Sequence, residues 1–138
     1  MVRWIRSALV AITVLAGALV IAPSPASADY QARCFYTGVF RDGSTVLRVD
    51  LNGDGTTDKC FGIAPNRTIW NAWSGSNGWW ELPNNGRADD VCSYDVDSRT
   101  LFVIVNGATG LYSSTWSVTT RKWLPWQFRP GWHCVIPE

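Results

Sequence analysis

Nine consecutive residues, Asp50-Leu51-Asn52-Gly53-Asp54-Gly55-Thr56-Thr57-Asp58, carry the most specific chemistry in the chain. Oxygen-bearing side chains stand at loop positions 1, 3 and 5, as Asp50, Asn52 and Asp54, a spacing that lets them converge on one cation where the backbone turns sharply. Gly55 at position 6 permits that turn. Thr56 offers its carbonyl at position 7, and Asp58 at position 9 adds a carboxylate directly or through water. Three carboxylates held this close repel one another unless a positive charge lies between them. A hard ion of flexible oxygen coordination suits the set, so calcium is the expected cofactor. The plain alternative is a solvated hairpin loop rich in Asn, Asp and Gly; agreement at five positions favours the ion. Position 12 is Phe61, where an EF-hand loop carries a bidentate glutamate, and no helical pattern flanks the stretch. The expected site is not an EF-hand.

Tryptophan is the second chemical resource. Eight follow residue 28: Trp70, Trp73, Trp79, Trp80, Trp116, Trp123, Trp126 and Trp132. Most are expected in the core, because a small β-domain needs their bulk. Trp79 and Trp80 are adjacent, so on a strand their side chains point to opposite faces. Trp123 and Trp126 stand at odd spacing and diverge in the same way on a regular strand. Those four are the expected ligand-binding residues, flat faces suited to sugar rings.

No catalytic constellation assembles. His133 is the single histidine and adjoins Cys134, and no serine lies in a nucleophile motif. Asp89-Asp90 and Asp95/Asp97 imitate carboxylate pairs for glycoside cleavage, yet read more simply as solvated turns or as a second weak cation loop. No catalytic residue is assigned.

The elements that must position these groups begin after a leader. Arg3 and Arg6 precede an apolar run from Ala8 to Ala22, and Ala26-Ser27-Ala28 supplies the small residues of a cleavage site. The run is about fifteen residues, short of the roughly twenty of a membrane-spanning helix. Residues 1–28 are therefore expected to be a signal peptide and 29–138 a single secreted domain of 110 residues, with no membrane insertion after cleavage. Without the leader, ten Lys plus Arg stand against eleven Asp plus Glu, scattered along the chain. Such a balance gives no electrostatic reason to bind nucleic acid. Cys34, Cys60, Cys92 and Cys134 make an even count in a short exported chain and read as two disulfides. Three connectivities are open, and Cys34–Cys60 with Cys92–Cys134 is the working pairing.

Short β-branched and aromatic runs alternate with Gly, Asn and Asp roughly every ten residues, a pattern of all-β structure with tight turns. Ten strands are expected, near Cys34–Phe40, Thr45–Val49, Lys59–Ile63, Thr68–Trp73, Trp79–Leu82, Val91–Tyr94, Leu101–Val105, Gly110–Ser117, Trp123–Trp126 and Trp132–Val135. Asp58 to Trp70 aligns without gaps on Asp90 to Phe102, thirty-two residues later, sharing Asp, Cys, Arg and Thr. A repeat of this length suggests blade-like β units.

The strand, the Asp50–Asp58 loop and the following Cys60-Phe61-Gly62 resemble the calcium loop of FG-GAP/VCBS-type repeats of secreted β-propellers. Asn85–Cys92 is similar to a worn second copy, and Ser98 to Trp126 resembles blades of tryptophan-rich propeller lectins. The resemblance implies a structural calcium and short antiparallel strands in blade-like repeats, as a partial or oligomer-completed propeller. A compact β-sandwich or barrel is the alternative. The implied function is a calcium-stabilised module that binds carbohydrate or a cell-envelope surface. The rivals are a secreted protein-binding module or inhibitor, and a small hydrolase. Ten strands leave a ring of four to eight four-stranded blades incomplete, so a homo-oligomer is the favoured assembly.

Overall fold

The computed structural model describes residues 28–135; the signal-peptide expectation over 1–28 falls almost wholly outside the described residues. Eleven strands run through the described part: β1 Tyr30–Cys34, β2 Tyr36–Phe40, β3 Leu47–Val49, β4 Lys59–Ile63, β5 Ile69–Trp73, β6 Trp80–Glu81, β7 Asp90–Asp95, β8 Thr100–Ile104, β9 Gly110–Ser117, β10 Lys122–Trp123 and β11 Gln127–Pro130. Every pairing is antiparallel. The strands form a β1–β2 hairpin, a sheet in the order β3-β4-β5-β6, and a sheet in the order β7-β8-β9-β10 with β11 also on β9. Among the described residues no sheet closes into a barrel. The all-β, antiparallel expectation holds.

Three expected strands are drawn differently. Cys34–Phe40 is not one strand but parts of two, because Phe35 at φ 23° turns the chain so that Cys34 pairs with Tyr36. Trp123–Trp126 ends at Trp123, and β11 begins four residues later to pair with Ser113–Gly110 of β9. Trp132–Val135 forms no strand.

Alternation along β4 organises the molecule. Phe61 and Ile63 share one face and join the core with Ile69, Val91, Leu101, Val103 and Trp123, where β4 meets β7. Cys60 and Gly62 share the other face, which the β1–β2 hairpin covers. There Cys34 bonds to Cys60, and the ring of Phe40 lies so close over Gly62 that a Cβ would collide with it. The second disulfide, Cys92–Cys134, ties β7 to the C-terminal segment with Cα atoms 5.5 Å apart. Both bonds follow the working pairing. No described cysteine is free.

Loops at one end are locked by one carboxylate. Asp89, just before β7 and 8 % exposed, meets Arg41 at 3.2 Å and Arg67 at 3.0 Å, and accepts the Asn106 N–H at 2.8 Å. These partners lie after β2, in the β4–β5 turn and after β8. Burial pulls the Asp89 pKa upward, but the Asn106 N–H and the two guanidiniums outweigh it, so the carboxyl stays below its ordinary value. Asp90 is spoken for as well, accepting the N–H groups of Thr45 and Val91. The reading of Asp89-Asp90 as a solvated turn is therefore corrected: Asp89 is a buried junction.

Candidate functional site

The metal-ligand candidates occupy the connection between β3 and β4. Asp50 accepts backbone N–H groups from Gly53 and Gly55, each at 2.7 Å, and weaker ones from Asn52 and Asp54. Gly53 and Gly55, at φ 75° and 84°, supply the left-handed turns that aim those donors inward. Asn52 accepts the Asp54 N–H, Asp54 accepts from the Thr56 N–H and hydroxyl, and Asp58 accepts the Leu51 N–H at 2.8 Å. The N–H of Gly55 above all holds the Asp50 carboxyl below its ordinary range, and the Thr56 hydroxyl does the same for Asp54. The loop's carboxylates thus turn to its own N–H groups. Among the described residues no three His, Cys, Asp or Glu side chains converge on one point. The donor chemistry still fits a hard cation: every ligand atom is oxygen, and Asp54 and Asp58 each keep one carboxylate oxygen clear of these hydrogen bonds.

The expected tryptophans do not gather at one place. Trp79 is half-buried against Phe40, ring centroids 4.8 Å apart, and donates its indole N–H to the Tyr36 carbonyl. Trp126 lies in another hollow, beside Arg67, Gly86 and Tyr112, its indole N–H buried without a partner. Trp80 and Trp123 line a single cleft of about 530 Å³ at the junction of the two larger sheets. Trp79 and Trp80 do diverge into different hollows, although only Trp80 lies in β6.

Sequence reasoning missed half of that cleft. Trp73 from β5 and Trp116 from β9 complete an aromatic wall with Trp80 and Trp123, and Asn71, Asp58, Glu81 and Leu51 also line the cleft. Trp80 is 57 % exposed, yet its indole N–H is fixed to the Ser76 carbonyl at 2.7 Å, so an open ring is held in one orientation. Lys59 stands among the rings, its ammonium 5.3 Å from Trp123, 5.4 Å from Phe61, 5.5 Å from Trp73 and 5.9 Å from Trp116. Such distances are those of cation–π contact. Burial pushes the Lys59 pKa down to about 8. The available signal was parity: Lys59 shares the inward face of β4 with Phe61.

Of the charged and amide side chains lining the cleft, all but Lys59 have an internal partner. Asn71 donates to the Trp80 carbonyl, Asp58 accepts from Leu51, and Glu81 lies 3.9 Å from Arg87. His133 is remote, in a hollow with Thr109, Leu111 and Trp132 that no carboxylate lines. The cleft can therefore stack planar or ring-shaped groups and offer them an ammonium, an amide oxygen and carboxylates.

Compared with protein-family models, curated proteins and solved structures, the chain matches none.

Proposed function

We propose that this protein is a secreted, calcium-stabilised β module that binds carbohydrate, free or displayed on a cell envelope, in the cleft between β4–β6 and β9–β10. One observation carries the reading: four tryptophans from two sheets wall one open cleft that also holds polar side chains. Sugar rings present apolar C–H faces that stack on indoles and a rim of hydroxyls that need polar partners. The cleft's volume falls within the range of small-ligand sites. It is also partly preformed, since Trp80 is anchored and Trp123 is wedged edge-on between Phe61 and Trp116. Preorganisation lowers the entropic cost of binding.

Export is supported by the leader pattern and by two disulfides, which persist in oxidising compartments. Calcium is supported by the all-oxygen donor set of Asp50, Asn52, Asp54, Thr56 and Asp58 and by the resemblance of their loop to FG-GAP/VCBS repeats. Leu51 and Asp58 belong both to that loop and to the cleft wall, so an ion there would brace the binding surface. The antiparallel runs β3–β6 and β7–β10 are consistent with blade-like units, for which a homo-oligomer is the proposed assembly.

A glycan array with and without chelator tests the function. Saccharide retention that Trp80→Ala abolishes and chelator weakens is the expected result. An array without retained glycans would end the carbohydrate reading.

A further inference from the structure

A smaller cavity of about 340 Å³ adjoins the aromatic cleft, and the two share Leu51, Lys59 and Trp116. Its remaining lining is Tyr94, Val96 and Arg99, without a carboxylate. Arg99 is held at the mouth by the β7–β8 turn, where it adopts φ 54° and its carbonyl accepts the Trp116 N–H at 2.9 Å. Two cationic side chains, one from β4 and one from the β7–β8 turn, thus line one hollow.

Neither has an anionic partner. Among the described residues the ion pairs join Arg41 and Arg67 to Asp89, and Arg87 to Glu81; Lys59 and Arg99 take part in none. Neither of the nearest acids in sequence pairs with them. Asp58 accepts the Leu51 N–H, and Asp95 accepts the N–H groups of Asp97 and Ser98 within its own turn. A cation beside apolar rings with no acid paired to it is the arrangement that an incoming anion completes. Charge-assisted hydrogen bonds gain strength where water is partly excluded.

We infer that the small cavity is an anion subsite of the cleft, and that the preferred ligand is an acidic saccharide whose charged substituent pairs with Lys59 and Arg99 while its rings stack on Trp80 and Trp116. This rests on the carbohydrate reading and narrows its ligand class. Carboxylate and sulfate substituents share the required chemistry.

The test is quantitative binding of the full disulfide-bonded protein to four matched oligosaccharides: a uronate oligomer, its carboxyl-reduced form, a sulfated oligomer and a neutral one. The uronate is expected to bind roughly tenfold more tightly than its carboxyl-reduced form, an advantage that shrinks with added salt. If sulfate is the natural substituent, the sulfated oligomer shows the larger advantage instead. Arg99→Gln, on an exposed turn, should cost about threefold for acidic ligands and nothing for neutral ones. Lys59→Gln should remove most of the preference, and Lys59→Arg should keep it. Trp80→Ala should weaken acidic and neutral ligands alike. Equal affinity for charged and carboxyl-reduced oligomers would overturn the anion subsite and leave the cleft's carbohydrate role intact. Absence of binding by all four would overturn both.

Discussion

Two acidic regions of the molecule satisfy their carboxylates in opposite ways. In the 50–58 loop each acid is met by N–H groups at most seven residues away, and residues 51–56 are exposed. Asp89 is buried and is met by Arg41, Arg67 and Asn106, seventeen to forty-eight residues distant. The contrast separates a feature that tunes a surface loop from one that holds the fold together. Local hydrogen bonds re-form readily with water, whereas a buried carboxylate stripped of its partners cannot be rehydrated.

The largest effect should therefore come from the quieter region. Asp89→Ala leaves two guanidiniums and the Asn106 N–H without their acceptor and should cost about 3 kcal/mol, near the low end for a broken buried pair because both arginines are partly open to water. Urea unfolding measures it; a loss below about 1 kcal/mol would remove Asp89 from its role as junction.

Acid sharpens the same comparison. Because the folded-state pKa of Asp89 lies below its ordinary value, it contributes stability that is fully present above about pH 4 and lost as pH falls through the folded value. The stability gap between wild type and Asp89→Asn should therefore narrow below pH 4. A gap that stays constant from pH 7 to pH 3 would contradict the depressed pKa.

The loop should respond to calcium instead. An ion that binds only the folded state raises its stability by mass action, so millimolar calcium should raise the melting temperature by about 5 °C. Asp54→Ala should abolish that rise and leave the calcium-free melting curve nearly unchanged. Calorimetry that finds wild type indifferent to chelator would end the calcium proposal.

What the sequence made legible follows the same divide. The 50–58 loop could be read because its geometry is set by neighbours, above all by Gly53 and Gly55. The disulfide framework rests on a count. The β1–β2 hairpin was hidden because its turn is made by Phe35, with no Gly, Asn or Asp to mark it. The cleft was half legible for a similar reason. Trp80 and Trp123 drew attention by spacing, but Trp73, Trp116 and Lys59 acquire meaning only when β5, β9 and β4 come together across more than forty residues of chain. Trp79 and Trp126 looked equivalent to them in sequence and are spent on packing, one on Phe40 and the other against Gly86.

That distinction among tryptophans offers the most direct measurement of the cleft's role. Each indole N–H gives its own nitrogen-15 resonance, so titration with an array-retained oligosaccharide reports at once on the eight that follow residue 28. Trp73, Trp80, Trp116 and Trp123 are expected to shift and saturate together, while Trp70, Trp79, Trp126 and Trp132 stay in place. Saturable shifts confined to Trp79, Trp126 or Trp132 would contradict a binding site between the two sheets.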